Sequence, residues 1–324
     1  MKQKTLSRFT FLVLTAMVLS TVFTGCTSES NKLNSNFNGV QIGVITYSGR
    51  SMPSTPQDII SYCVQTGISS IELMGSVAEE YAGVPKELRR PENFKELSQE
   101  EKDAFMVKRE ASLKAISEWR VSSASTEKYS ELKLLFDDAG VDIHIVKFSP
   151  ATWSDEEIDY AFESAKILGA KGVSNEIGHE ACKRLGPIAE KHGMYAVFHN
   201  HGQPRDPTFN FEEYLAYSPA NMLNLDVGHY FGASGLHPNV LIEKLHERIY
   251  SIHLKDKTAK DADPADTNAV WGEGDTPLED ILKLVQDNNW DIYCDIELEY
   301  KIPEDSDAVI ETGKCVAYCR YILL

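Results

Sequence analysis

Eight short runs of apolar and β-branched residues alternate with segments of helical periodicity between residues 40 and 324. Such a repeat leaves few possible folds, because alternating strands and helices form a parallel sheet that the helices cover. Eight units in roughly 290 residues predict one α/β domain, a (β/α)8 TIM barrel. The predicted strands are Val40–Tyr47, Ser70–Met74, Val141–Phe148, Gly172–Ile177, Met194–His199, Met222–Val227, Ile249–Leu254 and Asp291–Leu298.

A doubly wound sheet is the alternative fold for the same alternation. Such a sheet more often has a glycine-rich phosphate loop after its first strand. The residues at that place, Tyr47-Ser48-Gly49-Arg50, do not have this pattern, so the barrel is favoured. The helices are predicted from near Pro56 and at Ser98–Trp119, Glu127–Ala139, Asp155–Leu168, Glu180–His192, Pro238–Leu245, Pro277–Asn288 and Asp305–Tyr321.

Residues 1–25 have the features of a signal peptide. Basic side chains (Lys2, Lys4 and Arg8) precede an apolar stretch, Phe9–Phe23, that is shorter than a membrane span. The segment ends in Phe-Thr-Gly followed by Cys26, which is similar to a bacterial lipobox. The pattern predicts cleavage before Cys26 and lipidation of that cysteine. An ordinary signal peptide with an incidental cysteine is the alternative.

Residues 26–39 are rich in Ser and Asn and poor in apolar residues, which predicts a flexible tether between the lipid and the domain at 40–324. No later stretch of the sequence is long and apolar enough to span a bilayer, so the lipid would be the only membrane contact. We therefore expect a lipoprotein of the cell envelope, either periplasmic or anchored in the outer membrane.

The acidic composition limits the partners. The formal net charge is −17, and removal of the three basic residues with the signal peptide would bring it to about −20. Such a surface repels nucleic acid and anionic membranes, so neither is an expected partner. Five cysteines remain beyond Cys26, and no CxxC pair indicates a zinc knuckle.

The alternation of side chains along a strand predicts which polar residues face the barrel interior. On the sixth strand the apolar residues of one parity suit packing under helices, which leaves Asn224 and Asp226 inside. On the seventh strand Tyr250 is placed outside together with Ile252 and Leu254. The remaining residues predicted inside are Glu72, His199, His201, Ser251, His253, Lys255, Asp295, Glu297 and Glu299, with Asn175 and Glu176 as alternatives on the fourth strand.

Several of these residues lie at the C-terminal ends of strands, where TIM barrels have their active sites. They are His199, Asp226, His253 and Glu297, joined by His201, His229 and Glu176. Imidazole and carboxylate groups together are typical ligands of a divalent transition metal, so we expect Mn, Co, Zn or Fe. Mg or Ca sites made of oxygen atoms would not need the histidines.

At these residues the chain resembles the superfamily of sugar isomerase/epimerase-like barrels, which have the xylose-isomerase-like fold. The resemblance covers most of the predicted mature chain. It rests on six motifs in this order: Ile71-Glu72, His199-Asn200-His201-Gly202, Asp226-Val227-Gly228-His229, Ile252-His253-Leu254-Lys255-Asp256, Gly272-Glu273-Gly274-Asp275 and Glu297.

The resemblance implies a metal set of Glu, Asp, His and Glu from four consecutive late strands. Asp226, His253 and Glu297 match the last three by motif. The first ligand departs from the pattern, because His199 stands where the superfamily has a glutamate. Either His199 is the ligand, or Glu176 supplies the missing carboxylate.

This departure bears on the reaction that the resemblance implies. Sugar epimerases of the superfamily use two carboxylates on opposite faces of the substrate carbon, and this chain lacks one at the expected place. A reaction with one base is therefore expected, in which a proton is removed beside a carbonyl and a β-leaving group departs. Export argues against sugar phosphates, so lyases or hydratases of 3-keto-glycosides fit best. The expected catalytic residues are Glu297, His199, His201 and Lys255, and the expected substrate-binding residues are Glu72, His229 and Trp271.

Some alternatives stay open. Lys255 is either an electrophile or a surface charge. An isomerase or epimerase of an unphosphorylated ketose would use Glu176 and Glu297 as its two bases. A sugar-binding lipoprotein without catalysis would use aromatic residues at the mouth, such as Trp271, and would not need the metal set. A DNA-repair endonuclease on the same fold is opposed by the acidic charge and the predicted export.

Overall fold

A computed structural model describes residues 33–324. Eight parallel strands follow one another in sequence order around a closed sheet, and pairing of the first with the last closes the ring. The predicted (β/α)8 TIM barrel is confirmed. The barrel strands are β2 Val40–Ile45, β3 Ser70–Met74, β4 Asp142–Lys147, β5 Gly172–Glu176, β6 Tyr195–His199, β7 Asn221–Asp226, β8 Ile249–Leu254 and β9 Tyr293–Ile296.

Helices pack around the outside of the barrel. Several begin with a capping box. The hydroxyl of the N-cap residue accepts the backbone N–H three residues later, and the carboxylate there accepts the backbone N–H of the N-cap; the N-cap residues are Thr55, Ser98 and Ser154. Among residues 33–324 no helix has the length and apolar character needed to cross a membrane. The helices are α1 Pro56–Thr66, α2 Gly75–Ala82, α3 Gln99–Ser122, α4 Thr126–Ala139, α5 Asp155–Ile167, α6 His179–His192, α7 Phe211–Leu215, α8 Val227–Ser234, α9 Pro238–Leu245, α10 Leu278–Asn288 and α11 Ala308–Leu323.

Three of these helices, α2, α7 and α8, were not predicted from the sequence. Helices α2 and α8 follow a strand without a loop, because the last residue of the strand is also the N-cap of the helix. That residue is Met74 for α2 and Asp226 for α8. All three helices are shorter than the window of about 11 residues that shows a helical period. Helix α9 is also short, but Pro238 at its first position marks its start.

The end of the predicted tether is ordered. Asn36–Phe37 forms a short strand, β1, that pairs antiparallel with β2, and the Phe37 side chain is buried. The tether prediction for 26–39 is therefore wrong at its end, because strand pairing and the burial of one aromatic ring outweigh a polar local composition. The predicted signal peptide, the lipidated Cys26 and tether residues 27–32 lie outside the described residues.

The main apolar core lies between the barrel and its helices. A separate small cluster contains Ile145, Val197, Met222 and Tyr250 from four strands, which can meet only inside the barrel. The prediction that Tyr250 faces outward is wrong. Leu223 pairs with Ile249 and Asn224 with Ser251, so Tyr250 is an extra residue on β8 and turns inward.

Candidate active site at the barrel mouth

Four buried side chains meet at the C-terminal end of the barrel. His199 ends β6, Asp226 ends β7, His253 lies near the end of β8, and Glu297 follows β9. One ligand-type atom from each of the four lies within 4.8 Å of the others. The barrel topology thus brings together the residues of four neighbouring strands in the arrangement that a single metal ion requires.

His199 shows that these donors fit a metal. The side chain is buried, its Nδ1 has no hydrogen-bond partner among residues 33–324, and its Nε2 lies 3.9 Å from Asp226 Oδ2. Burial, assisted by the nearby charges of His253 and Lys147, holds the pKa of His199 well below its usual value. A neutral imidazole is the form that binds metals, and an ion would supply the missing partner.

Asp226 is held so that one oxygen remains for a cation. Its Oδ1 accepts the backbone N–H of His229 at 2.7 Å and caps helix α8. The side-chain amide of Asn200 fixes the backbone of Asp226. It accepts the Asp226 N–H at 3.0 Å and donates to the Asp226 carbonyl at 3.1 Å. Asp226 Oδ2 forms an ion pair with Lys255 Nζ at 2.8 Å.

His253 is fixed by a carboxylate on each side. Its Nδ1 lies 2.9 Å from Glu297 Oε2 and its Nε2 lies 2.7 Å from Glu72 Oε2. Burial would lower the pKa of His253, but the two carboxylates hold it well above the usual range. A histidine that binds a metal through one nitrogen commonly donates its other N–H to a carboxylate, which is the place of Glu72 here.

The structure places Glu72 beneath the site. Its side chain is fully buried, with Oε1 accepting from Ser174 at 2.7 Å and Oε2 accepting from Asn224 at 2.7 Å. Burial would raise the pKa of Glu72, but His253 and the other neighbours lower it to about 2. The prediction that Glu72 binds substrate is therefore corrected. Parity placed Glu72 on the correct face of the strand, but its depth in the barrel and its occupied oxygens make it a support for His253.

Lys255 lies inside the same cluster. Its Nζ lies 2.8 Å from Asp226 Oδ2, 3.0 Å from Glu297 Oε2 and 2.7 Å from Glu299 Oε2. Burial opposes the charged form, but these carboxylates raise the pKa of Lys255 above its usual value, so the ammonium persists. The side chain is 2% exposed, so Lys255 is not a surface charge.

A second group lies nearer to solvent. His201 Nε2 lies 2.7 Å from Glu176 Oε2, and Lys147 Nζ donates to Glu176 Oε1 at 2.7 Å. The contact with Glu176 raises the pKa of His201, whose side chain is 47% exposed. His201 Nδ1 lies 3.3 Å from His229 Nε2. Glu176 therefore contacts His201 and does not belong to the buried group that His199 forms with the ligands on the later strands. The geometry thus favours His199 as the first metal ligand.

The sequence patterns did not assign Lys147 to the site. Its Nζ reaches Glu176 at the mouth. Burial opposes the charged form, but Glu176 and Glu72 raise the pKa of Lys147. The signal was present: Lys147 ends β4 and has the parity of Ile145, which lies inside the barrel. Glu299 was placed inside by parity but received no role, although it contacts Lys255.

The motif Gly272–Asp275 has a structural explanation. Asp256 Oδ2 accepts the backbone N–H groups of Gly272 at 2.8 Å and Gly274 at 3.1 Å, and its Oδ1 accepts that of Thr276 at 3.2 Å. A Cβ atom at Gly274 would lie 2.3 Å from Asp256 Oδ1, so only glycine fits there. Trp271 packs against Tyr318 of the outer helix α11, with ring centroids 5.7 Å apart. Its substrate-binding role stays a prediction.

The fold and the site together define a TIM barrel with a candidate metal centre at the C-terminal ends of its strands. Residues 171–314 match the family described as Xylose isomerase-like TIM barrel. This match supports the superfamily that the motifs resemble. It covers the later strands, which carry His199, Asp226, His253 and Glu297.

Individual proteins give similar results. An inosose dehydratase from Clostridium perfringens is 28% identical over 138 residues, and a second, from Clostridium beijerinckii, is 26% identical over 136 residues. The matches span 37% of this chain and less than half of these relatives, 46% and 45%. The chain thus spans about half the length of the curated relatives that it matches.

Solved structures show the same fold. A sugar phosphate isomerase/epimerase from Parabacteroides distasonis has a TM-score of 0.57 at 17% identity, covering 88% of this chain and 96% of its own. A probable 3-DHS dehydratase from Bacillus anthracis has a TM-score of 0.57 at 15% identity, covering 85% of this chain and 98% of its own. At these identities the similarity shows the fold alone. The comparisons as a whole support an enzyme of the TIM-barrel superfamily.

Proposed function

We propose that the protein is a divalent-metal-dependent carbon–oxygen lyase that removes a proton beside a sugar carbonyl. The favoured substrates are 3-keto-glycosides, from which β-elimination releases the aglycone. The observation that carries this proposal is the buried His199, whose Nδ1 has no hydrogen-bond partner in the described part of the chain, beside Asp226, His253 and Glu297. An acid–base pair, His201 and Glu176, lies above these four at the mouth.

The proposed cofactor is Mn, Co, Zn or Fe held by the four buried residues. When bound, such an ion acts as a Lewis acid toward the carbonyl of the sugar. Glu297 is the candidate base. Burial would raise its pKa, but Lys255 and His253 hold the pKa of Glu297 well below its usual value, so the side chain is ionised, which is the form required of a metal ligand and of a base.

His201 is the candidate acid for the leaving group. Its contact with Glu176 raises its pKa and so favours the protonated form, while its exposure at the mouth gives access to a glycosidic oxygen. In the proposed elimination the C–H bond breaks and its proton passes to Glu297. The electron pair left on carbon then forms a C=C bond as the C–O bond breaks, the C–O pair leaves with the glycosidic oxygen, and His201 protonates that oxygen.

The charges at the mouth support a substrate without phosphate. Each lysine described there already has a carboxylate partner: Lys147 has Glu176 at 2.7 Å, and Lys257 has Asp266 at 2.6 Å. Lys255 is enclosed by three carboxylates. A phosphate group is usually bound by cations and N–H groups that remain available to it.

The dehydratase names of the relatives support the same chemistry. Loss of water beside an activated carbon–hydrogen bond and loss of an aglycone are both β-eliminations, which need one base and one acid for the leaving group. The runner-up is an isomerase or epimerase of an unphosphorylated ketose, as the name of the Parabacteroides distasonis structure would favour. It would use Glu176 and Glu297 as two bases.

The first test measures solvent exchange and cleavage together. The metal-loaded protein is incubated in deuterated water with a 3-keto-glucoside that carries a chromogenic aglycone. We expect deuterium at the carbon beside the carbonyl and release of the aglycone. Glu297→Gln should abolish both signals, while His201→Ala should slow cleavage more than exchange. His179→Ala, which removes an exposed histidine of helix α6, is the matched control and should change neither.

Metal content is measured on the same preparations. We expect close to one divalent ion per chain, lost to a chelator together with activity and weakened in Asp226→Asn. Full activity in metal-free protein contradicts the proposal. Epimerisation of a ketose without cleavage of any glycoside would promote the runner-up and make Glu176 the second base. Sugar binding without exchange would indicate a sugar-binding lipoprotein without catalysis.

A further inference from the structure

Lys255 and the proposed metal need the same oxygen atom. Asp226 Oδ1 is used to cap helix α8, which leaves only Oδ2 for a cation. Lys255 Nζ lies 2.8 Å from that oxygen. Its distance of 3.0 Å to Glu297 Oε2 places the ammonium between two of the four metal ligands. Two cations cannot share one carboxylate oxygen at these distances without strong repulsion.

Lys255 also has a second set of partners. Its Nζ lies 2.7 Å from Glu299 Oε2 and 3.0 Å from His229 Nε2. The Glu299 side chain is 22% exposed whereas Asp226 is fully buried, so this second set lies nearer to the mouth. A lysine side chain has four rotatable bonds, and its ammonium can therefore keep Glu299 while it gives up Asp226.

We propose that Lys255 is a displaceable counter-ion of the metal site. In the metal-free protein its ammonium compensates the buried carboxylates of Asp226 and Glu297. When a divalent ion binds these carboxylates, Lys255 moves onto Glu299 and His229 on the substrate side. The inference rests on the metal site of the proposed function, and it adds that the chain weakens its own metal affinity through one lysine.

This exchange has two physical consequences. Without the ammonium, the metal-free site would hold uncompensated buried carboxylates, so Lys255 stabilises the empty protein. The same ammonium must be displaced before a metal can bind, so Lys255 lowers the affinity. A variant without this charge should therefore lose stability when empty and bind metal more tightly.

Lys257 offers a matched control. It lies two residues further along the chain, is also buried, and has its own carboxylate partner, Asp266, at 2.6 Å. Its ammonium lies 3.3 Å from His229 Nδ1, but within residues 33–324 it contacts neither Asp226 nor Glu297. Loss of the Lys257 charge therefore removes a similar ammonium nearby without removing a cation from the metal ligands.

The test is calorimetric titration of Mn²⁺ alone into chelator-treated protein. Lys255→Met should bind Mn²⁺ roughly tenfold more tightly than the unaltered chain, within the range by which groups around metal ligands change affinity. Lys257→Met should leave the affinity nearly unchanged. Glu299→Gln should weaken binding, because Lys255 then loses its alternative carboxylate, but the same change should have no effect in the Lys255→Met background.

Thermal unfolding gives a second readout. Lys255→Met should have a lower Tm than the unaltered chain without Mn²⁺ and a larger rise in Tm with it. If Lys255→Met does not fold, Lys255→Gln and Glu299→Gln still test the exchange. Equal or weaker Mn²⁺ binding by the folded lysine variant overturns this inference, as does an equal effect of Glu299→Gln in both backgrounds. Failure of the unaltered chain to bind any of Mn²⁺, Co²⁺, Zn²⁺ and Fe²⁺ in the same titration would instead overturn the metal site itself.

Discussion

Arg120 is a buried charge outside the barrel that is paired twice. Its Nε donates to Glu79 at 2.7 Å and its Nη1 donates to Glu157 at 3.1 Å. The guanidinium also stacks over the Trp153 ring, 3.4 Å from the centroid. Tyr160 donates a further hydrogen bond to Glu79 at 3.2 Å. These contacts join α2, α3 and α5, so Arg120 stabilises the long segment that follows β3.

Arg120→Met should therefore destabilise the protein strongly. It leaves the carboxylates of Glu79 and Glu157 buried without a cation, a change that costs about 3–5 kcal/mol in the free energy of unfolding. The measurement is urea denaturation at neutral pH. Arg109→Met is the control on the same helix, since its ion pair with Glu87 is about one-third exposed and is worth about 1 kcal/mol or less. Equal losses in the two variants would contradict the argument.

The acid side of the stability curve tests the same ion pairs. Burial would raise the pKa of Glu157, but its bonds to the Ser154 backbone and to Arg120 lower it. A carboxyl group with a lowered pKa contributes stability above its unfolded pKa of about 4.3, and that contribution is lost as the pH falls through the folded pKa. The unaltered chain should therefore lose more stability than Arg120→Met between neutral pH and the acid range.

Residue parity predicts on which face of a strand a side chain lies, but it does not predict how deep in the barrel that side chain is. It brought Asp226, His253 and Glu297 inside because an alternating pattern carries that information. It could not show that Glu72 lies beneath His253, since depth depends on the stagger between strands. It also failed at Tyr250, where one extra residue on β8 changes the alternation. Such an irregularity leaves no mark in the sequence of a single strand.

At the scale of elements, the strands and the long helices could be predicted and the short connections could not. Helix α8 was missed because Asp226 is both the last strand residue and the N-cap, so no loop marks the boundary. That direct connection also fixes the site. Because the cap occupies Asp226 Oδ1 and orients the carboxylate, the strand, the helix and the metal ligand form one unit.

The segment after β8 is held by one carboxylate. Asp256 accepts three backbone N–H groups from residues 272–276, and it follows Lys255 directly. Asp256→Ala should destabilise the protein by about 2 kcal/mol, the usual contribution of hydrogen bonds to a charged group. We also expect faster proteolysis between residues 257 and 276, because three backbone N–H groups of residues 272–276 lose their acceptor.

The control is Asp261→Ala in the same segment. Asp261 is exposed, so its loss should change neither the unfolding free energy nor the rate of cleavage. Limited proteolysis followed by mass spectrometry measures the rate and the position of cleavage. If Asp256→Ala is cleaved no faster than Asp261→Ala within this segment, the motif Gly272–Asp275 does not depend on Asp256 in the way that the contacts indicate.

At the scale of the whole molecule, the predicted membrane contact lies at the N-terminus. No helix within residues 33–324 has the character of a membrane span, and the formal net charge of −17 opposes binding to anionic lipids. The first barrel strand begins directly after the predicted tether, at Val40. We propose that the lipid on Cys26 anchors the protein to the cell envelope, with the mouth facing an aqueous compartment.

Cys26→Ser tests the anchor. The serine variant cannot carry a thioether-linked lipid, so we expect it either in the soluble fraction or as an unprocessed precursor. Ser28→Ala, two residues further on, is the control and should remain in the membrane fraction at its mature size. Fractionation with immunoblotting measures both location and size. The anchor is ruled out if Cys26→Ser is processed normally and stays in the membrane fraction, because the lipid on Cys26 is then not what holds the protein there.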